Sequence, residues 1–146
     1  MQVAVAFFYF HFMNTALVAS KIKSPARPTT AVMTRSIGCG ALNLNSSQTN
    51  GSAFTGTNTL TAQDAYGNTA AGYSAATNNV TIAAVSPLTG AVSGLTGVNK
   101  ITGAVDFASG IADLTALHMT YTGNVATGTF IANSASGGYS GTSLPV

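Results

Sequence analysis

The chain has 146 residues, room for one domain with some length left over, and only 5% of them are charged. Four of its five bases (Lys21, Lys23, Arg27 and Arg35) precede Ser36; beyond that point Lys100 stands against Asp64, Asp106 and Asp113, one minus three, or −2. A folded part of that charge cannot supply the run of phosphate contacts that nucleic acid demands. Cys39 is the only cysteine, which excludes an intramolecular disulfide.

The first element in chain order is the apolar, aromatic run "VAVAFFYFHFMNTALVA", Val3 to Ala19. No base precedes it and four follow, the reverse of a standard export signal, and His11, Asn14 and Thr15 interrupt it. Residues 1–20 are therefore read as an atypical signal or membrane anchor, or as a misassigned start. The next stretch, 21–52, carries "SPARPTTAVMTRS" and the polar "LNLNSSQTNGS" and reads as a flexible linker.

From residue 53 the period is two. Phe54, Leu60 and Ala62 face away from Thr55, Thr57, Thr59 and Thr61, and Val80 and Ile82 face away from Thr81. In "KITGAVDF" the alternation puts Ile101, Val105 and Phe107 on one side. In "GTFIANS" it puts Phe130 and Ala132 there. "GIADLTALHMTYTG" alternates poorly and predicts a bulge or register change. Gly, Asn and Pro punctuate these runs at 66–68, 86–87, 97–99, 109–110, 123–124 and 137–138. Short strands between such turns predict an all-β antiparallel sandwich over 53–146, with a core thin in large side chains. Few Lys, Glu or Pro guard its strand edges, so neighbouring modules or assembly partners are expected to cover them.

"LTAQDAYGNTAAGYS", Leu60 to Ser74, holds one of the three acids. Asp64 can accept from backbone N–H groups two residues on, Gly67 and Asn68 tolerate positive φ, and Tyr66 can lay its ring over the core's end. The bland assignment is a turn motif of Asp64, Tyr66, Gly67 and Asn68. A calcium site on Asp64 and Asn68 is the rival, although one carboxylate is a poor start for six to eight oxygen ligands. Catalysis would have to combine His118 with the same few Asp. No Gly-x-Ser-x-Gly elbow, carboxylate pair or Cys/His metal spacing marks such a site. A glycan platform would draw on Tyr66, Tyr73, Tyr121 and Tyr139, for which packing at the sandwich ends is the alternative.

"FTGTNTLTAQDAYGNTAAGYSAATNNVTI", followed by "FASGIADLTALHMTYTGNVATGTFIANSASGGYSGTS", resembles the immunoglobulin-like repeats of bacterial surface proteins, of invasin/intimin or filamin-like type. The Asp-x-x-Gly-Asn turn is matched by Asp64, Gly67 and Asn68, and a later segment by Gly110, Ile111, Ala112, Leu114 and Thr115. Gly128, Thr129, Phe130 and Ala132 match a penultimate strand loosely. "SGTSLPV" stops where the last strand of the repeat pattern should be running, so that strand is expected to be very short or the chain to be cut from a longer one. The resemblance implies an immunoglobulin-like sandwich acting as a non-catalytic spacer or adhesive module outside the cell, with sibling repeats or other surface proteins as partners and no cofactor. A glycan-binding accessory module of a secreted polysaccharide-degrading enzyme is the alternative.

Overall fold

Alternating Thr, Val, Ile and Leu build short strands here, and Gly, Asn and Asp end them. The computed structural model describes residues 37–136 and 138–146, all within one compact unit. The apolar stretch 1–20 and the linker residues 21–36 lie outside the described residues. The described strands are β1 (Ile37–Asn43), β2 (Thr59–Asp64), β3 (Val80–Ala84), β4 (Ala91–Ser93) and β5 (Lys100–Ile101). They continue with β6 (Ile111–Asp113), β7 (Thr120–Thr122), β8 (Phe130–Ser134) and β9 (Ser140–Thr142), and no helix occurs among the described residues.

All strand pairs are antiparallel, in sheets ordered β1-β2-β6, β5-β3-β8-β9 and β4-β7. One core of buried side chains draws on all three: Leu60 of β2, Ile82 of β3, Val92 of β4, Ala112 of β6, Tyr121 of β7 and Phe130 of β8. The fold is thus all-β and sandwich-like. Phe130 meets Phe54 and Tyr121 edge-on at ring-centroid distances of 5.7 and 5.6 Å, the favoured geometry for aromatic pairs. These rings, with Tyr73, Phe107 and Met119, make the core fuller than its many Ala and Val suggest.

The sheets β1-β2-β6 and β4-β7 are continuous in a particular sense. Ala53 bridges Thr120, and Phe54 N donates to Met119 O at 2.7 Å, while Thr59 pairs with Asp113. Two chain segments therefore pair twice, with five residues between the pairings on one (54–58) and six on the other (114–119). Both segments loop out between the pairings, at the same level.

Asn58 fills that break and is fully buried, at 0% exposure. Its Oδ1 accepts from Asn45 N at 2.9 Å, and its Nδ2 donates to Thr55 O and to Thr115 Oγ1, each at 3.0 Å. Thr115 Oγ1 passes a hydrogen bond on to Gly56 O, and Leu114 N donates to Asn58 O. Buried amides are tolerated when satisfied in this way.

Two sequence expectations are corrected. Ile37–Asn43 falls in the stretch read as linker but is a strand with Leu42 in the core. Gly38, Gly40 and Ala41 carry too little side chain to display its period. Lys100–Ile101 does not extend to Phe107, because Gly103 N donates to Asp106 Oδ2 in a turn that leaves Val105 89% exposed. The bulge or register change expected in 110–123 is present: the pairing shifts by one residue between Thr59↔Asp113 and Ala53↔Thr120, and between them a turn loops out in which Leu117 N reaches Asp113 O and Met119 N reaches Leu114 O.

Two of the edge strands are short. Strands β4 and β5 have three and two residues, too short to template much pairing. β1 and β9, which belong to different sheets, pack closely: a Cβ on Gly38 would strike the Tyr139 side chain, and one on Gly141 would lie 2.3 Å from Gly40 O. Because Gly38 matches Tyr139 and Gly40 matches Gly141, the two strands run parallel.

Asn58→Ala should cost about 2 kcal/mol, since it removes the acceptor of Asn45 N–H and the donor to Thr115 Oγ1 from a fully buried position. Equilibrium urea unfolding measures this, and a loss under about 0.5 kcal/mol would contradict it.

Candidate functional site

Each acid of the folded part sits where a turn exposes backbone donors. Asp64 Oδ1 accepts from Tyr66 N at 2.9 Å and Asn68 N at 3.0 Å, and its carboxylate also receives Asn68 Nδ2 at 3.3 Å. The backbone closes the same turn, Gly67 N to Asp64 O and Asp64 N to Asn68 O, each at 2.9 Å, with Gly67 at φ 83°. Asp106 Oδ2 accepts from Thr96 Oγ1 and Gly103 N, both at 2.7 Å. Asp113 Oδ1 accepts from Thr115 N at 2.9 Å and Ala116 N at 3.0 Å.

Around each carboxylate, then, stand N–H and O–H donors. A cation site is built the other way, with several oxygens converging on one point. At Asp64 the Asn68 amide presents its nitrogen, not its oxygen, to the carboxylate. Among the described residues no three His, Cys, Asp or Glu side chains gather in one place. His118 is exposed at φ 59°, its backbone bonded to Thr115 and Thr120, and no hydrogen bond joins its ring to any of the three Asp.

The four tyrosines are not assembled into one surface. Tyr73 and Tyr121 are each 6% exposed. Tyr73 stacks edge-on with Phe107 at 4.6 Å, and its hydroxyl donates to Asn78 O. The Tyr121 hydroxyl accepts from Gly90 N at 3.0 Å and donates to Asn124 Oδ1 at 2.8 Å. Tyr139 is half-buried beside Gly38. Tyr66 alone stands clear, 82% exposed at the tip of the Asp64 turn.

A cleft of about 100 Å3 opens at the other end of the sandwich, between Phe54, Leu88, Tyr121, Val125, Phe130 and Val146, with Gln48, Asn50 and Asn124 on its rim. Sequence reading missed it, because its walls come from five separate segments. Its polar groups are already engaged. Asn50 brackets Gly123 with both amide atoms, at 2.8 and 3.0 Å. Asn124 accepts from Thr89 N and Tyr121 and donates to Pro87 O. Gln48 reaches Asn45 O and both backbone groups of Thr55. What the cleft offers is therefore apolar wall with few free hydrogen-bonding groups. Its small volume falls below the range of ordinary small-molecule sites, about 300–1,000 Å3.

Comparison of the chain with family models, with curated proteins and with solved structures found no match.

Asp64→Ala should cost about 2 kcal/mol, the value of hydrogen bonds to a charged acceptor. Asp64→Asn, which keeps an acceptor oxygen, should cost under about 1 kcal/mol. Thermal and urea unfolding of both variants check this; equal losses would mean that the charge matters more than the turn bonds.

Proposed function

We propose that this chain is a non-catalytic, immunoglobulin-like spacer or adhesive module of a bacterial surface or secreted protein. The observation that carries the reading is that the first and last strands, β1 and β9, pack against each other and run in the same direction. A chain that enters along β1 and leaves along β9 passes from one pole of the sandwich to the other. Tension between its ends then loads that pair in shear, as a module in a tandem array requires.

Strand order supports the immunoglobulin-like assignment. With the Ala53–Thr120 bridge counted, the first layer reads β1, β2, β6 with β7, then β4, and the second reads β5, β3, β8, β9. Lettered along the chain, and with the two-residue β5 left aside as an extra strand beside β3, that is the A-B-E-D and C-F-G order of an immunoglobulin-like sandwich. The commitment of all three acids to turn hydrogen bonds supports the non-catalytic part of the proposal. Burial of Tyr73 and Tyr121 weighs against the glycan platform.

Force spectroscopy of the full chain placed between two marker domains tests the proposal. A load-bearing module should unfold in one step with a contour gain of roughly 350 Å, the extended length of residues 37–146. Gradual lengthening without a force peak would remove the spacer reading.

A further inference from the structure

The loop between β1 and β2 contains a backbone conformation that its residue disfavours. Ser47 sits at φ 65°, in the left-handed region, and is not glycine. It lies in the exposed stretch 45–47, just after β1. The strand on the N-terminal side of this strained turn is also weakly specified. β1 reads "IGCGALN", and its pairing with β2 slips between Cys39 and Ala41, where the Gln63 side chain covers Gly40. Gly-rich strands with an irregular register are the ones that accept alternative pairing.

β1 nevertheless occupies a well-defined slot. It pairs with β2 from Ile37↔Asp64 to Asn43↔Thr59, Leu42 enters the core, and its other side abuts β9. Without β1, the outer edge of β2 would offer unpaired main-chain groups to an incoming strand, beside the Gly-lined surface of β9. We infer that the slot between β2 and β9 is an exchange surface whose partner is β1 of a second copy of this chain. Two copies trade Ile37–Asn43 reciprocally, keeping every strand contact described above and straightening only the turn at Ser47. Strain in a hinge invites such swapping, and the exchanged pair closes with two-fold symmetry. A tethered β1 has an effective concentration in the millimolar range, so exchange shows at high protein concentration or on refolding there. This inference does not rest on the spacer reading, because a module can bear load with its own or a partner's first strand.

The test uses the full chain in a Cys39→Ser background. Ala41 and Thr61 are cross-strand partners, both partly exposed, and each is replaced by cysteine in a separate variant. The two variants are refolded together at high concentration and oxidised. Exchange predicts a disulfide-linked heterodimer in clear excess over the homodimers that either variant forms alone, and that excess should rise with concentration. Heterodimer at or below the homodimer level would overturn it. The hinge supplies a second measurement, the dimer fraction of otherwise unmodified chain by sedimentation velocity. Ser47→Gly, which accepts the closed turn, should lower that fraction, and Ser47→Pro, whose ring forbids φ 65°, should raise it several-fold. Equal fractions in both variants would contradict a role for the strained turn.

Discussion

The side-chain amide of Asn58 sits where two long strands stop pairing at the same level and resume a few residues later. A break of this kind leaves backbone donors and acceptors facing inward, and inside a core each must find a partner or destabilise the fold by 1–3 kcal/mol, on the order of magnitude usual for such groups. One carboxamide meets the Asn45 N–H, the Thr55 carbonyl and the Thr115 hydroxyl, and its own backbone carbonyl takes Leu114 N–H. The upper and lower halves of the first layer can then act as one sheet. Phe130 can pack under both halves, against Phe54 and Tyr121.

The same solution recurs across the molecule with different residues. Asp64, Asp106 and Asp113 each hold a turn by accepting backbone N–H groups, and Asn124 ties Thr89, Tyr121 and Pro87 together. At the far edge Ser143 Oγ accepts from Phe130 N at 3.0 Å, and Ser134 donates to Asn78. Neutral hydroxyls and amides do most of this, which explains how a domain so poor in charge satisfies its interior polar groups. Among the described residues, every buried side-chain nitrogen and oxygen has a partner. Polar groups committed in this way are not at hand for chemistry, so the geometry that stabilises the sandwich also shapes the proposed role.

The legible part of the fold is where side chains are large enough to display their period. Leu60 and Ala62, Val80 and Ile82, and Phe130 and Ala132 all face inward as the alternation requires. β1 was hidden because its small residues carry no period, although Leu42 and the backbone ladder make it part of the sheet. Val105 misled because a local Asp106–Gly103 turn outweighs one apolar residue. Asn58 stands in a Thr- and Asn-rich run that reads as surface; only the meeting of two loops distant in sequence makes it interior. The buried tyrosines share that difficulty, since Asn78 and Asn124 satisfy hydroxyls that sequence alone would leave in water. Turn chemistry at Asp64 is readable because donor and acceptor lie within a few residues of each other.

Native-state hydrogen exchange at the two amides that donate to Asn58, those of Asn45 and Leu114, tests the central claim most directly. If Asn58 joins the interrupted strands into one cooperative sheet, both amides exchange only through global unfolding, with the same opening free energy as the core amide of Ile82. Exchange of either amide through a local opening several kcal/mol below that level, on the scale that separates frayed from core segments, would contradict the account.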